Sequence, residues 1–340
     1  MRIIRGFATA ATMLLTLASL PAMAQTNWGV VKTLPIGGDG SWDYVTVDAM
    51  GHRLFVTRST HTMVLDSTSG KVLGDIPGQV RSHGTAIVPN AGRGFITDGG
   101  GKGAIVVFDL KTYAVLGTIP AMPDADGIIY DPKQNKVLFV SGDGNLLESF
   151  SPDIDPKTGK LDPPIALGGA PEFLAADGTG KVYINLEDKD MVAVVDLASR
   201  KVVNRWPVAP GGSPVGMSLD AKGRHLIIGC RKPQDMIVMS ADTGKVDASL
   251  PIGAGVDATL FAGGQAFAST GDGKLTVAAA KDGKFEVVQT VTTKPGARTM
   301  AIDNMTHQIF MPTAEMEPAV AGARPKTKPG SFMIVVVGQQ

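Results

Sequence analysis

Asp43, Asp126, Glu172 and Asp257 are four acids far apart in the chain, and Arg298 follows at the same stride. With Gly84 and Val215 filling the intervening places, the spacings run 41, 42, 46, 43, 42 and 41. Trp42 and His83 each stand one residue before such a position. If the repeat brings these positions to one axis, four carboxylates, a guanidinium and an imidazole share one funnel. Carboxylates that close repel, so each must be protonated, paired with Arg298, or bound to a cation. Asp43, Asp126, Glu172, Asp257 and His83 are therefore the candidate metal ligands. Their oxygens suit calcium or magnesium, and the imidazole adds affinity for zinc, manganese or iron. Without a metal, His83 or Glu172 would serve as general base and Arg298 as a clamp on a substrate carboxylate or phosphate. Trp42 and His61 join Arg298 as candidate substrate contacts. The competing reading makes each acid a plain acceptor for backbone amides of a neighbouring strand.

What would position these residues is a repeat. "WDYVTVDAMGHRLFVT", "HGTAIVPNAGRGFIT", "ADGIIYDPKQNKVLFV" and "PEFLAADGTGKVYIN" are the first of seven similar strand pairs. A second pair follows, as in "MVLDSTSGKVLGDIP", "VVFDLKTYAVLGTIP" and "AVVDLASRKVVNRWPV". Four short antiparallel strands recurring at a period of roughly 40 residues are the blades of a propeller. The last copy holds only three strands and ends in "FMIVVVG", while "WGVVKTLPIG" near the start has the outer-strand pattern. The N-terminal strand is predicted to pair with the last blade, closing the ring and removing free sheet edges. The expected fold is all-β: a seven-bladed β-propeller, four antiparallel strands per blade, forming a single domain over residues 25–340.

The segments "LFVTRS", "VVDLASRKVV", "SADTGKV" and "VGMSLDAKG" resemble the YVTN repeats of YncE-like seven-bladed propellers of exported bacterial proteins. The resemblance extends over essentially the whole mature chain. It implies a fold rather than one function, because propellers host binding proteins, hydrolases, lyases and oxidoreductases alike. Propeller lactonases carry carboxylates, and some histidine and arginine, at the same channel mouth, although no lactonase motif accompanies the ring. Some YncE-like proteins are thought to touch single-stranded DNA, which requires basic residues and aromatic stacking platforms. Here the funnel is acidic and its rim offers mainly Trp42, so nucleic acid is not an expected partner. Quinone-dependent dehydrogenase is disfavoured, because the chain has 3 tryptophans and none of that class's regular tryptophan motifs.

Residues 1–24 read as a secretory signal peptide: Arg2 and Arg5, then an apolar run, then Ala22-Met23-Ala24 before a cleavage expected ahead of Gln25. The expected location is the periplasm or the medium, with no membrane anchor, since no later apolar segment reaches the roughly 20 residues a span needs. Without Arg2 and Arg5 the chain keeps 30 basic against 32 acidic residues. Such a balance provides no general attraction to phosphate backbones or anionic membranes. Cys230 is the lone cysteine; it excludes an intrachain disulfide and is expected to be buried.

The loops after each second strand should open on the funnel face. They include "RSTHTM" with His61, which would form an imidazole pair with His83 at the rim, "LEDKD" and "CRKPQD". Asp98 belongs to "DGGGKG", while Asp143 and Asp272 lie in G-D-G sequences and read as turn formers. His52, His225 and His307 fall in turns on the opposite face. Residues 312–330 form a long loop with Glu315, Glu317, Arg324, Lys326 and Lys328 as groups that reach over the funnel, a lid or a solvated loop. "SPDIDPKTGKLDPP" reads as a longer turn on the other face. The leading expectation is a monomeric binding protein for a metal ion or small ligand. A metal-assisted lactonase or lyase acting on a small anionic substrate is the enzyme alternative, and a scaffold for a protein partner is the third.

Overall fold

The structure is a computed structural model that describes residues 27–318 and 326–340. The predicted signal peptide, the cleavage point before Gln25 and Arg324 lie outside the described residues. Strands dominate, because runs such as "KVYINL" and "MVAVVD" combine β-branched and aromatic residues that fit a pleated, buried surface. In the middle strand Lys181–Leu186 every residue after the first is buried, whereas the outer strand Lys201–Pro207 is mostly exposed. Between strands, Asp66, Asp109 and Asp196 each accept a backbone N–H three residues on, at 2.7 Å in all three cases. These aspartate turns are the physical content of the recurring D-x-x-[ST] pattern.

Among the described residues the strands form five antiparallel sheets of 4 strands and one of 7. In the larger sheet one continuous strand, Val72–Val88, first pairs with Ser59–Asp66 and then, after a shift of register, with Arg93–Asp98. The N-terminal strand Trp28–Pro35 pairs antiparallel with Met333–Gln339, setting Trp28 opposite Gln339 and Pro35 opposite Met333. Trp28 also leans on the preceding sheet, its Nε1 donating to Gln265 Oε1 at 2.8 Å and its ring meeting Phe267 edge-on at 5.0 Å.

The core lies between successive sheets. Val88 and Phe95 of one sheet pack with Val137, Phe139 and Phe150 of the next. Phe95 meets Phe150 at 5.0 Å, and Phe55 meets Phe108 at 5.6 Å between the two halves of the seven-stranded sheet. Truncating one of these fully buried rings to alanine would cost about 3–5 kcal/mol. Face-to-face packing brings the first strands together: Val45–Asp48 touches both Val72–Val88 and Ala301–Asp303. The insertion at residues 151–164 is more than a longer turn. Ile154 is buried against the cluster of Phe95 and Phe150, and Arg93 Nη1 donates to its carbonyl at 2.9 Å. No helix among the described residues is long and apolar enough to cross a membrane.

Candidate functional site

A recurring buried polar side chain sets the ring positions. At or next to the end of a middle strand, Thr57 Oγ1 donates to His83 O at 2.7 Å and Thr97 Oγ1 to Asp126 O at 2.6 Å. Asn185 Nδ2 donates to Val215 O at 2.9 Å, and Ser269 Oγ to Arg298 O at 2.5 Å. All four donors are 0 % exposed, so none has water as an alternative partner and each bond must be made. Thr57 bonds within the seven-stranded sheet and the other three reach into the following sheet, and each fixes the backbone at or beside a ring residue. Thr299 Oγ1 does the same for Asp43 O at 2.8 Å.

With the backbone so held, the side chains converge. His83 Nδ1 lies 2.6 Å from Asp43 Oδ2 and 3.5 Å from Asp126 Oδ1. One donor atom from each of Asp43, His83 and Asp126 fits within 4.8 Å of the others. Asp257 is gripped from both sides, by Arg298 Nε at 2.6 Å and by Arg231 Nη2 at 2.7 Å. Arg231 extends the chain of charges, its Nη1 donating to Glu187 Oε1 at 3.2 Å. Glu187 in turn shares a hydrogen bond with Glu172. At the edge, Arg81 Nη2 pairs with Asp124 Oδ1 at 2.7 Å.

The charges in this funnel oppose one another. Burial pushes Asp126 up to about 7, with the nearby Asp43, Asp124 and Asp257 adding to the rise and His83 opposing it. Asp43 is also raised, first by burial, although its hydrogen bond to His83 works against the shift. Burial disfavours a charged His83, yet the bond to Asp43 and the charge of Asp126 outweigh it and hold the imidazole above its ordinary value. Glu172 is pushed up to about 9 by burial, by the hydrogen bond with Glu187 and by the charge of Asp126. At neutral pH it carries a proton, the state of a general acid rather than a base. Tyr44 is raised well above the usual phenol value, by burial and by the charges of Asp126, Asp257, Asp43 and Glu172.

The predicted ring residues Asp43, His83, Asp126, Glu172, Asp257 and Arg298 thus form one electrostatic cluster. Glu172 and Asp257 stand outside the three-residue group, one engaged with Glu187 and the other with two arginines. Val215 turns into an apolar cluster with Ile227 and Met236. Trp42 is 6 % exposed and tilts against Phe332 at 5.9 Å, so it is largely a core residue that shows one edge. His61 sits in the strand Ser59–Asp66 rather than in a loop, with its Nε2 3.8 Å from Asp75 Oδ1. Asp98 is a structural acceptor for the backbone N–H groups of Val80, Arg81 and Gly100, at 2.9, 2.7 and 3.2 Å. Burial pushes the Cys230 thiol up to about 12.

Sequence reasoning missed Tyr44, Glu187 and Arg231 as individual residues. The first adjoins Asp43, and the others lie in "LEDKD" and "CRKPQD", loops already placed on the funnel face. The long loop is a short ladder where it is described: Met316 bridges Thr327, and Lys328 Nζ holds Glu315 Oε2 at 2.9 Å. Glu315 and Lys328 therefore engage each other rather than the funnel. Two spaces adjoin the cluster. A cavity of about 120 Å³ lies on the inner strands and includes Tyr44, Gly84, Phe173 and Asp257 in its walls, with Tyr44 and Phe173 4.9 Å apart. A cleft of about 790 Å³ is walled by Trp42, Pro295, Gly296, Arg298, Met316 and Lys326.

No family model matches the sequence, and no curated protein matches it. Solved structures do. The WD40 beta propeller domain of Doa1 superposes with a TM-score of 0.71 at 13% identity, covering 93% of this chain and 98% of that one. Kuenenia stuttgartiensis hydrazine synthase superposes with a TM-score of 0.68, also at 13% identity, covering 86% of this chain and 96% of that one. The chain has a β-propeller fold. At such identity the likeness covers the fold alone.

Proposed function

We propose that this protein is a seven-bladed propeller that binds one divalent metal ion in its funnel through Asp43, His83 and Asp126. The observation that carries the reading is the three donor atoms within 4.8 Å of one another. In that group two carboxyls are held above their ordinary range, and Asp126 Oδ1 is buried with no hydrogen-bond partner among the described residues. A cation removes all three penalties at once. The donor set fits: ligand bonds of about 2.0–2.2 Å need donor atoms roughly 3 Å apart, a spreading of less than about 1 Å at the tightest contact. One nitrogen and two oxygens favour zinc, manganese or iron over calcium or magnesium. A metal-free base reading fares worse, because His83 Nδ1 faces Asp43 while Nε2 is buried without a partner and lies against Gly99.

Seven blades follow if the seven-stranded sheet counts as two, run together through Val72–Val88. The contacts of Val45–Asp48 with both Val72–Val88 and Ala301–Asp303 support a closed ring, as does the pairing of Trp28–Pro35 with Met333–Gln339. The buried hydroxyls of the "LFVT" and "GFIT" strand ends support kinship with YVTN-repeat propellers, and the expected signal peptide supports export. Three protein ligands leave a coordination position open, which favours metal-assisted hydrolysis of a lactone as the second reading. When bound, the metal would supply Lewis acidity there, Arg298 would hold substrate charge, and protonated Glu172 would be the nearby acid.

Elemental analysis of the purified protein tests the metal directly. The expected result is close to one zinc, manganese or iron per chain, lost in Asp126→Asn with an unchanged circular dichroism spectrum. Native protein that holds no metal and gives no heat when titrated with zinc or manganese overturns the proposal.

A further inference from the structure

We propose that the cleft of about 790 Å³ beside the funnel is a separate binding site for a small monocarboxylate with an apolar body. Its volume falls in the range of sites that enclose small organic ligands. Its inner end is Arg298, whose Nε is taken by Asp257 and whose side chain is 42% exposed, which leaves the two terminal nitrogens for a ligand. Lys326, from the far side of the long loop, brings a second cation to the same wall. Asp257 divides its two oxygens between Arg231 and Arg298, so it engages only one nitrogen of the Arg298 guanidinium. Between the cations the walls are Pro295, Met316 and the edge of Trp42, surfaces for an apolar body rather than for the dense donors a phosphate requires.

Trp42 is the second, independent observation. Its Nε1 is buried and has no hydrogen-bond partner among the described residues, in a side chain that is 94% enclosed by the 6% exposure above and that lines the cleft. A buried N–H without an acceptor is costly, and a carboxylate oxygen would satisfy it. The ring is held for this: a Cβ on Gly296 would lie 3.2 Å from Trp42 Cζ2 and 2.5 Å from Met316 Cε, so glycine is what lets loop and indole meet. Gly296 also has a φ of +82°, which side chains rarely adopt. Arg58 braces the other side, stacked 3.7 Å over Phe332 and donating to Ser41 O and Asp39 O at 2.9 and 2.6 Å.

The site does not depend on the metal reading, and the test keeps the two apart. The full chain, in the presence of a chelator, is titrated with benzoate, hexanoate and the uncharged benzamide. The readout is the three tryptophan indole resonances in nitrogen–proton correlation spectra, with Trp42 assigned from its loss in Trp42→Phe. Either carboxylate should move the Trp42 resonance and leave Trp28 and Trp206 in place, while benzamide binds at least about tenfold more weakly. Arg298→Gln and Lys326→Gln should each weaken the effective carboxylate about tenfold, and Asp126→Asn should bind it as the native chain does. No response to either carboxylate, equal binding of benzamide, or full binding by the Arg298→Gln, Lys326→Gln double variant would overturn the proposal. The two unmoved tryptophans report that each variant is folded.

Discussion

Replacing Glu172 by glutamine tests how the funnel is charged. Burial, the hydrogen bond with Glu187 and the charge of Asp126 carry this carboxyl from 4.5 to about 9. A carboxyl with a raised pKa holds its proton more tightly in the folded chain than in the unfolded one. Its stabilisation is therefore complete below the unfolded value and is lost as pH rises towards the folded one. Each pH unit in that window costs at most about 1.4 kcal/mol, so the three units from pH 5 to pH 8 cost about 4 kcal/mol as a ceiling. Relaxation and water entry lower the effective penalty at sites like this, and about 2 kcal/mol is the working figure. Glutamine keeps the shape and an N–H donor for Glu187 but has no proton to lose. Urea unfolding of both proteins at pH 5, 6, 7 and 8, with chelator present, should give near-equal stability at pH 5. The variant should be ahead by about 2 kcal/mol at pH 8. A difference that stays constant across the series would refute the reasoning, since it would mean that Glu172 ionises as it does in the unfolded chain.

Three further outcomes are expected. Zinc affinity should rise with pH from 6 to 7, by up to about tenfold per unit for each proton displaced, and rise less steeply above pH 7, because binding must displace protons from His83 and from Asp126, whose pKa is about 7; a flat competition titration would count against the triad. Asp257→Ala should cost about 3–5 kcal/mol in thermal unfolding by leaving Arg231 and Arg298 without their shared partner, and adding Arg231→Met should recover part of the loss. Deleting residues 27–35 should expose the edge of Met333–Gln339 and produce concentration-dependent oligomers in size-exclusion chromatography; an unchanged monomer peak would show that this edge is protected by other means.

Much of the fold was legible because, apart from the pairing of Trp28–Pro35 with Met333–Gln339, each sheet is built from neighbours in sequence. An antiparallel meander with short aspartate turns leaves its period in the chain, so the ring positions from Asp43 to Arg298 could be counted off. The same locality explains the failures. The two-residue reversal before His61 leaves no composition signal, so the sequence does not show that His61 lies in the strand Ser59–Asp66. The burial of Trp42 against Phe332 joins chain segments separated by almost the whole sequence, so no local pattern records it.

The sequence by itself determined the repeat and the strands, since both follow from alternation and turn chemistry within one sheet. Only the tertiary structure decided which of the converging groups touch. The pairing of His83 with Asp43, the sharing of Asp257 by Arg298 and Arg231, and the protonated Glu172 beside Glu187 depend on sheet-to-sheet offsets of a few ångströms. Coulomb and desolvation energies vary steeply over that distance, and no spacing along the chain records it.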